Sequence, residues 1–195
     1  TNNRVNYWNN YIRNNIIKDS EKAIITINDL IMSYQTIVNE FNEVVINNSE
    51  EYIIKDIVNY CDSKYGFKGF LLKFQMVHGG KISKPLFVID HSDNFTIQMY
   101  DKVVSDLLKS AKNASGGTRA KKWTEYFDFK KKYLLATNVF KQGILTYQRD
   151  IDYGFAITAH KSQGSTYNTV FVDLNDMIYD KNGNEFARVG AEQRE

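Results

Sequence analysis

Apolar residues recur at helical spacing at the start of the chain: Val5, Trp8, Ile12 and Ile16 fall on one face between Arg4 and Ile17 and predict an amphipathic helix. From about Lys22 to Ile97 the period shortens. Ala23–Ile27, Leu30–Ser33, Glu43–Ile46, Tyr52–Ile57, Phe70–Val77, Ile82–Ile89 and Phe95–Ile97 are short β-branched or aromatic runs, separated by the turn formers Asn28-Asp29, Asn47-Asn48-Ser49 and His78-Gly79-Gly80. Several short strands in succession predict a small closed barrel, since closure removes exposed sheet edges. Helical spacing then returns. Tyr100, Val103, Val104, Leu107, Leu108 and Ala111 share a face of a helix that ends at the Ala114-Ser-Gly-Gly linker, and a second helix is predicted from about Thr118 to Leu135. Tyr153–Thr158 and Thr169–Leu174 read as buried strands separated by a polar turn and short helix, the pattern of an α/β sheet with its functional groups at strand ends.

Composition narrows the function classes. The 195 residues are 43% hydrophobic and 25% charged, with a net charge of +2, so whole-chain charge argues neither for nucleic acid nor for membrane. The single cysteine, Cys61, excludes a disulfide framework and a Cys-rich zinc site and fits a reducing compartment. No metal site is expected. With no apolar run of about 18 residues and a polar N-terminus, a cytoplasmic protein is expected. The absence of an initiator Met and the polar close Arg188-Val-Gly-Ala-Glu-Gln-Arg-Glu195 suggest a piece of a longer protein.

Charge counted in blocks changes the picture. Residues 101–150 hold 11 Lys/Arg against 5 Asp/Glu, whereas 1–100 hold 10 against 11 and 151–195 hold 4 against 7. Within the basic block Lys109, Lys112, Arg119, Lys121, Lys122, Lys130, Lys131 and Lys132 interleave with Trp123, Tyr126, Phe127, Phe129 and Tyr133. Such a face suits single-stranded nucleic acid, with cations tracking phosphates and rings stacking on bases. Lys121, Lys122, Trp123 and Lys130 are its candidate contacts. The competing reading is an amphipathic helix whose aromatics are core and whose lysines are solvated. Lys73, Lys81 and Lys84 beside Phe74 and Phe87 offer a second candidate face on the barrel, with the same alternative of a solvated surface.

The segment richest in chemistry is Ile157-Thr-Ala-His-Lys-Ser-Gln-Gly-Ser-Thr-Tyr167. Hydroxyls, an imidazole, an ammonium and an amide at the end of a strand can converge on phosphate, and Gly164 permits close backbone approach. His160 taken alone reads as a structural histidine. A hydrolase pairing His160 with Ser162 or Asp173 is a further option, although residues two apart in such a turn rarely reach nucleophile–base geometry.

This segment resembles motif V of superfamily 1 DNA helicases of the RecD/Dda-like type, where the same Ala-Ile-Thr-x-His-Lys-Ser-Gln-Gly-Ser order occurs. Thr1-Asn2, Val5, Asn9, Ile12 and Arg13 resemble the pattern that opens the second RecA-like domain of those enzymes, and Asp29–Ser33 and Val44–Ile54 resemble strands of their inserted SH3-like barrel. The resemblance implies an α/β fold: a partial RecA-like parallel sheet from 1–20 and 136–195, an inserted small SH3-like β-barrel at 21–97 and a helical basic insertion at 98–135. It implies that Thr158, His160, Lys161 and Ser162 hold single-stranded DNA, that Gln163, Gly164 and Ser165 face the nucleotide cleft, and that Thr1 and Asn2 lie near the cleft or DNA. It further implies ATP and Mg²⁺ as cofactors of a full-length helicase translocating 5′ to 3′, and a missing first RecA-like domain as partner. No Gly-x-x-x-x-Gly-Lys-Ser/Thr loop and no acidic Mg²⁺ motif after a strand occur in these residues, so this chain alone is not expected to hydrolyse ATP. Arg188 and Arg194 lack the strand and helix context of an arginine finger. A stand-alone SH3-like peptide-binding module remains the alternative reading.

Overall fold

A computed structural model describes residues 2–39, 42–48, 50–141, 143–164 and 166–178. The opening helix α1 (Asn2–Ile16) forms where its period predicts. Its attachment is more polar than the period suggests. Val5 is buried, but so are Asn9 and Arg13, while Ile16 is exposed.

The strands are β1 (Leu30–Ser33), β2 (Ile37–Val38), β3 (Val44–Ile46), β4 (Glu51–Cys61), β5 (Lys68–Met76), β6 (Leu86–Ile89), β7 (Leu134–Leu135), β8 (Val139–Lys141), β9 (Ile144–Tyr147) and β10 (Ile151–Tyr153). Six of them form one sheet in the order β10-β1-β4-β5-β6-β7, antiparallel except for the parallel β6–β7 pair. The two edges approach each other through a parallel bridge between Ala136 and Ile151, supported by Thr137 N donating to Ile151 O (2.9 Å) and Asp150 N donating to Leu135 O (2.9 Å). The sheet is therefore nearly closed. Its edge groups are satisfied by the chain itself, as a short barrel requires.

Alternation sorts the side chains. Ile31, Ile54, Leu72, Phe74, Val88, Leu134 and Ile151 fill the interior. Phe67, Phe87, Ile89 and Leu135 point outward beneath the two helices α2 (Asn94–Asn113) and α3 (Gly117–Lys132), where Tyr100, Val104, Phe129 and Tyr133 complete a second core. Strand β6 is consequently buried at all four positions, which explains why its sequence Leu-Phe-Val-Ile is continuously apolar. At Gly69 a Cβ would lie 2.3 Å from Val88 O and 2.8 Å from the Phe87 ring, so glycine is needed for β5 to approach β6.

Several expectations change. Phe95–Ile97 is the first turn of α2 and not a strand, because Asp93 caps the helix by accepting from Thr96 N (2.9 Å). Leu134-Leu135 leaves the expected second helix to join β6, where both side chains are buried. Ala23–Ile27 forms a turn and not a strand, and Phe70–Val77 and Ile82–Ile89 shift to the bounds of β5 and β6. The strand expected over Tyr153–Thr158 is β10 instead, and it runs antiparallel to β1. Thr169–Leu174 is not a strand: residues 169–173 are irregular and lead into the short helix α5 (Leu174–Ile178), with Phe171 96% exposed. No described strand lies alongside to offer a ladder. Mixed α/β architecture holds, but parallel pairing among the described residues is confined to β6–β7 and the Ala136–Ile151 bridge, so a partial parallel RecA-like sheet is not seen. The barrel also recruits 134–136 and 151–153, which lie outside the 21–97 segment expected to form it. Among the described residues no helix is long and apolar enough to cross a membrane.

Candidate nucleic-acid interface

The motif segment follows β10 and is anchored from behind. Asn9 donates from Nδ2 to Ala156 O (3.0 Å) and accepts at Oδ1 from Ala156 N (2.7 Å). Beyond that clamp Thr158 caps a single turn, α4 (Ala159–Ser162), its hydroxyl accepting from Lys161 N (3.2 Å).

The four residues expected to hold DNA are thus brought together, but in different roles. Thr158 is a cap. His160 is exposed. Ser162 Oγ donates back to Ala159 O (2.8 Å). Lys161 Nζ donates to Ser33 O (2.8 Å) and to Asn48 Oδ1 (2.7 Å), which ties the motif turn to the barrel, and burial lowers its pKa. Gln163 is exposed, and Gly164 adopts φ 84° with open space around it, so no phosphate cradle is formed there by the chain itself. Asn2 starts α1 and is exposed. Thr1, Ser165, Arg188 and Arg194 lie outside the described residues.

Lys161 also sits over the Tyr34 ring, 4.9 Å from its centroid, and Arg149 sits over the same ring at 4.4 Å. Arg149 donates to the Tyr34 hydroxyl, reaches Asn6 Oδ1 (3.3 Å) and pairs with the buried Asp152 (2.9 Å). Burial raises the pKa of Tyr34, with Arg149 opposing the rise, and burial likewise raises that of Asp152. Sequence reasoning missed Tyr34 and Arg149. They lie 115 positions apart, and no local pattern links them.

The basic helix α3 resolves into both of its alternatives. Phe129 and the following Tyr133 are core. Lys122 pairs with Glu125 (2.7 Å), Lys121 is exposed, and Trp123 is half-buried and stacked on Phe127 (5.7 Å). Lys130 is turned inward: its ammonium donates to Tyr100 Oη (2.6 Å) and lies over the Tyr100 and Tyr147 rings, and burial lowers its pKa against the opposing pull of Asp150. The barrel face is corrected as a stacking surface. Phe74 lies inside the barrel and Phe87 beneath the helices, while Lys73 pairs with Asp56 (2.8 Å) and Lys84 with Glu43 (2.6 Å).

The hydrolase arrangement does not assemble. Asp173 is engaged by Trp8 Nε1 (2.7 Å) and Arg4 (2.7 Å), and Ser162 is bonded to its own turn. Among the described residues no group of three or more His, Cys, Asp or Glu is placed to hold a metal ion.

No family model matches the chain. A 39-residue stretch, 20% of the chain, is 46% identical to an uncharacterized protein of Acanthamoeba polyphaga mimivirus, and the match spans 8% of that protein.

Proposed function

We propose that this chain is part of the second motor domain of a cytoplasmic, ATP-dependent superfamily 1 DNA helicase, a RecA-like unit carrying an SH3-like barrel, and that it grips single-stranded DNA. The observation that carries the reading is the 157–167 segment: its residue order resembles the helicase motif, and its turn stands at the end of a strand with His160 exposed and Lys161 beside it. The requirement such a grip must meet is modest, namely donors at phosphate spacing with no base readout. His160 and the free backbone of the turn offer donors to phosphate. Lys161 adds a positive charge whose hold on Ser33 and Asn48 also fixes the turn against the barrel.

ATP and Mg²⁺ belong to the whole enzyme in this reading, with Gln163, Gly164 and Ser165 facing a cleft completed by a first motor domain. The described residues form no phosphate cradle and no carboxylate cluster for magnesium, so no step through the nucleotide is assigned to them.

A second reading draws on the nearly closed, mostly antiparallel sheet: a barrel module that binds a peptide without catalysis. It gives no role to the 157–167 segment.

Fluorescence anisotropy of a labelled oligothymidine at low and moderate salt separates the two. The helicase reading expects salt-sensitive binding that weakens in His160→Ala/Lys161→Ala. Binding of a proline-rich peptide with no binding of DNA selects the module.

A further inference from the structure

An open cleft of about 890 Å³ lies between α3 and the 146–150 loop, with Tyr34 and Gln35 at one side. Three features distinguish it from an ordinary surface fold. Its aromatic faces are accessible: Phe127 is 52% exposed and Tyr34 42% exposed, with Tyr126 and Tyr147 between them. Its cations stand on both walls, Lys131 on the helix and Arg149 on the loop. Its deepest carboxylate is concealed, since Asp150 is buried and accepts from Leu135 N (2.8 Å) and Gln35 Nε2 (3.0 Å). Asp128 on the helix is the remaining acidic group of the lining.

The cleft is also continuous with the motif turn. Arg149 from the cleft and Lys161 from the turn both lie over the Tyr34 ring, at 4.4 and 4.9 Å. Two cations sharing one ring are within about two nucleotides of backbone of each other, so one strand can be held by both.

We infer that the cleft between α3 and the 146–150 loop is a binding groove for single-stranded nucleic acid, in which bases stack on Phe127 and Tyr34 while Lys131 and Arg149 hold phosphates. A groove of rings and cations is the arrangement that binds single strands without reading sequence. Its burial of Asp150 favours an anionic ligand, because charge on that carboxylate is disfavoured there. The inference rests on reading the motif turn as a strand grip, since the groove extends that grip and does not replace it.

The test compares Phe127→Ala/Lys131→Ala with His160→Ala, using the labelled oligothymidine across a salt series. Both altered cleft side chains are exposed, so folding is expected to survive, and a thermal melt verifies it. Lys161 is left intact because it touches both regions. Loss of a stacking ring and one phosphate contact is expected to weaken binding about tenfold or more and to reduce the salt slope by about 0.7. Unchanged affinity and slope in the cleft variant, with weakening in His160→Ala, overturn the groove and leave the helicase reading standing. Weakening in the cleft variant alone supports the groove as a nucleic-acid site and removes the motif turn from it. No binding by the unaltered protein overturns both.

Discussion

Asn9 holds Ala156 by both backbone groups, donating to its carbonyl at 3.0 Å and accepting from its N–H at 2.7 Å across 147 positions of sequence. Asn9 is 2% exposed, so this is a buried amide serving as a two-pronged clamp between α1 and the base of the motif segment. Asn9→Ala leaves two backbone groups without partners and is expected to cost about 1–3 kcal/mol. Asn9→Asp keeps the acceptor but sets an oxygen against Ala156 O, and is expected to be no better than alanine at neutral pH. Urea unfolding gives the stability, and amide exchange at Ala156 shows whether the loss is local.

One turn further along the helix, Arg13 carries the larger energetic commitment. It meets Asp29 through two bonds, Nε to Oδ1 at 2.6 Å and Nη2 to Oδ2 at 2.9 Å, donates to the carbonyls of Ser20 and Ala23, and stacks over Tyr153 at 4.6 Å. Asp29 is wholly buried and also accepts from Thr26 N (2.7 Å). Removing either charge strands the other, so Arg13→Ala and Asp29→Ala are each expected to destabilise by about 3–5 kcal/mol. In a double-mutant cycle the paired change should cost clearly less than the two single changes together. Strict additivity in urea unfolding would show that the pair is not coupled.

These two contacts also show what the sequence made legible. The helical period of Val5, Trp8, Ile12 and Ile16 located α1 correctly, yet Ile16 is exposed and the firm attachments are Asn9 and Arg13. Periodicity counts apolar positions and is blind to a buried amide or guanidinium whose partner is remote. The barrel was legible from its turns, whereas its closure was not, because Ala136 and Ile151 meet only through a parallel bridge. Val170-Phe171-Val172 has strand composition but remains exposed at 61%, 96% and 57%, since composition cannot supply a neighbouring strand. At the candidate site, the 157–167 segment stood out by residue order alone. The Tyr34–Arg149 contact beside it depends on tertiary placement.

Gly69 is expected to tolerate no side chain. Its hypothetical Cβ meets backbone at Val88 O, 2.3 Å away, and the Phe87 ring at 2.8 Å, so relief requires β5 and β6 to part. Gly69→Ala should destabilise by about 1–3 kcal/mol. Gly80, at φ 113° but with open space around it, should lose less on substitution, through backbone strain alone. Parallel urea melts of the two alanine variants test the ordering.

Asp93 gives a pH dependence with a defined sign. Its carboxylate accepts from Lys68 Nζ (3.0 Å) and from Thr96 N (2.9 Å), which together bring its pKa down to about 2 from an ordinary 3.8. A depressed carboxylate binds protons less readily in the folded state. Its stabilisation is therefore complete above the ordinary value and is lost as pH falls from about 4 toward 2. Asp93→Asn retains a capping oxygen without the charge. The variant should show a flatter loss of stability across that acid window, and an unchanged acid limb in pH-dependent melting would remove Asp93 from the account.

Tyr34 separates two contributions to the proposed strand path. Its hydroxyl accepts from Arg149, while its ring lies beneath both Arg149 and Lys161. If the ring is what organises the two cations and offers a face to a base, Tyr34→Phe should retain oligothymidine affinity within about twofold, and Tyr34→Ala should lose about tenfold. If the hydroxyl matters because it fixes the guanidinium, phenylalanine should already show most of the loss. The comparison is informative because Tyr34 is part-exposed and its ring is outside both hydrophobic cores, so neither change removes core packing. Equal affinity for all three proteins would place the strand elsewhere on the surface.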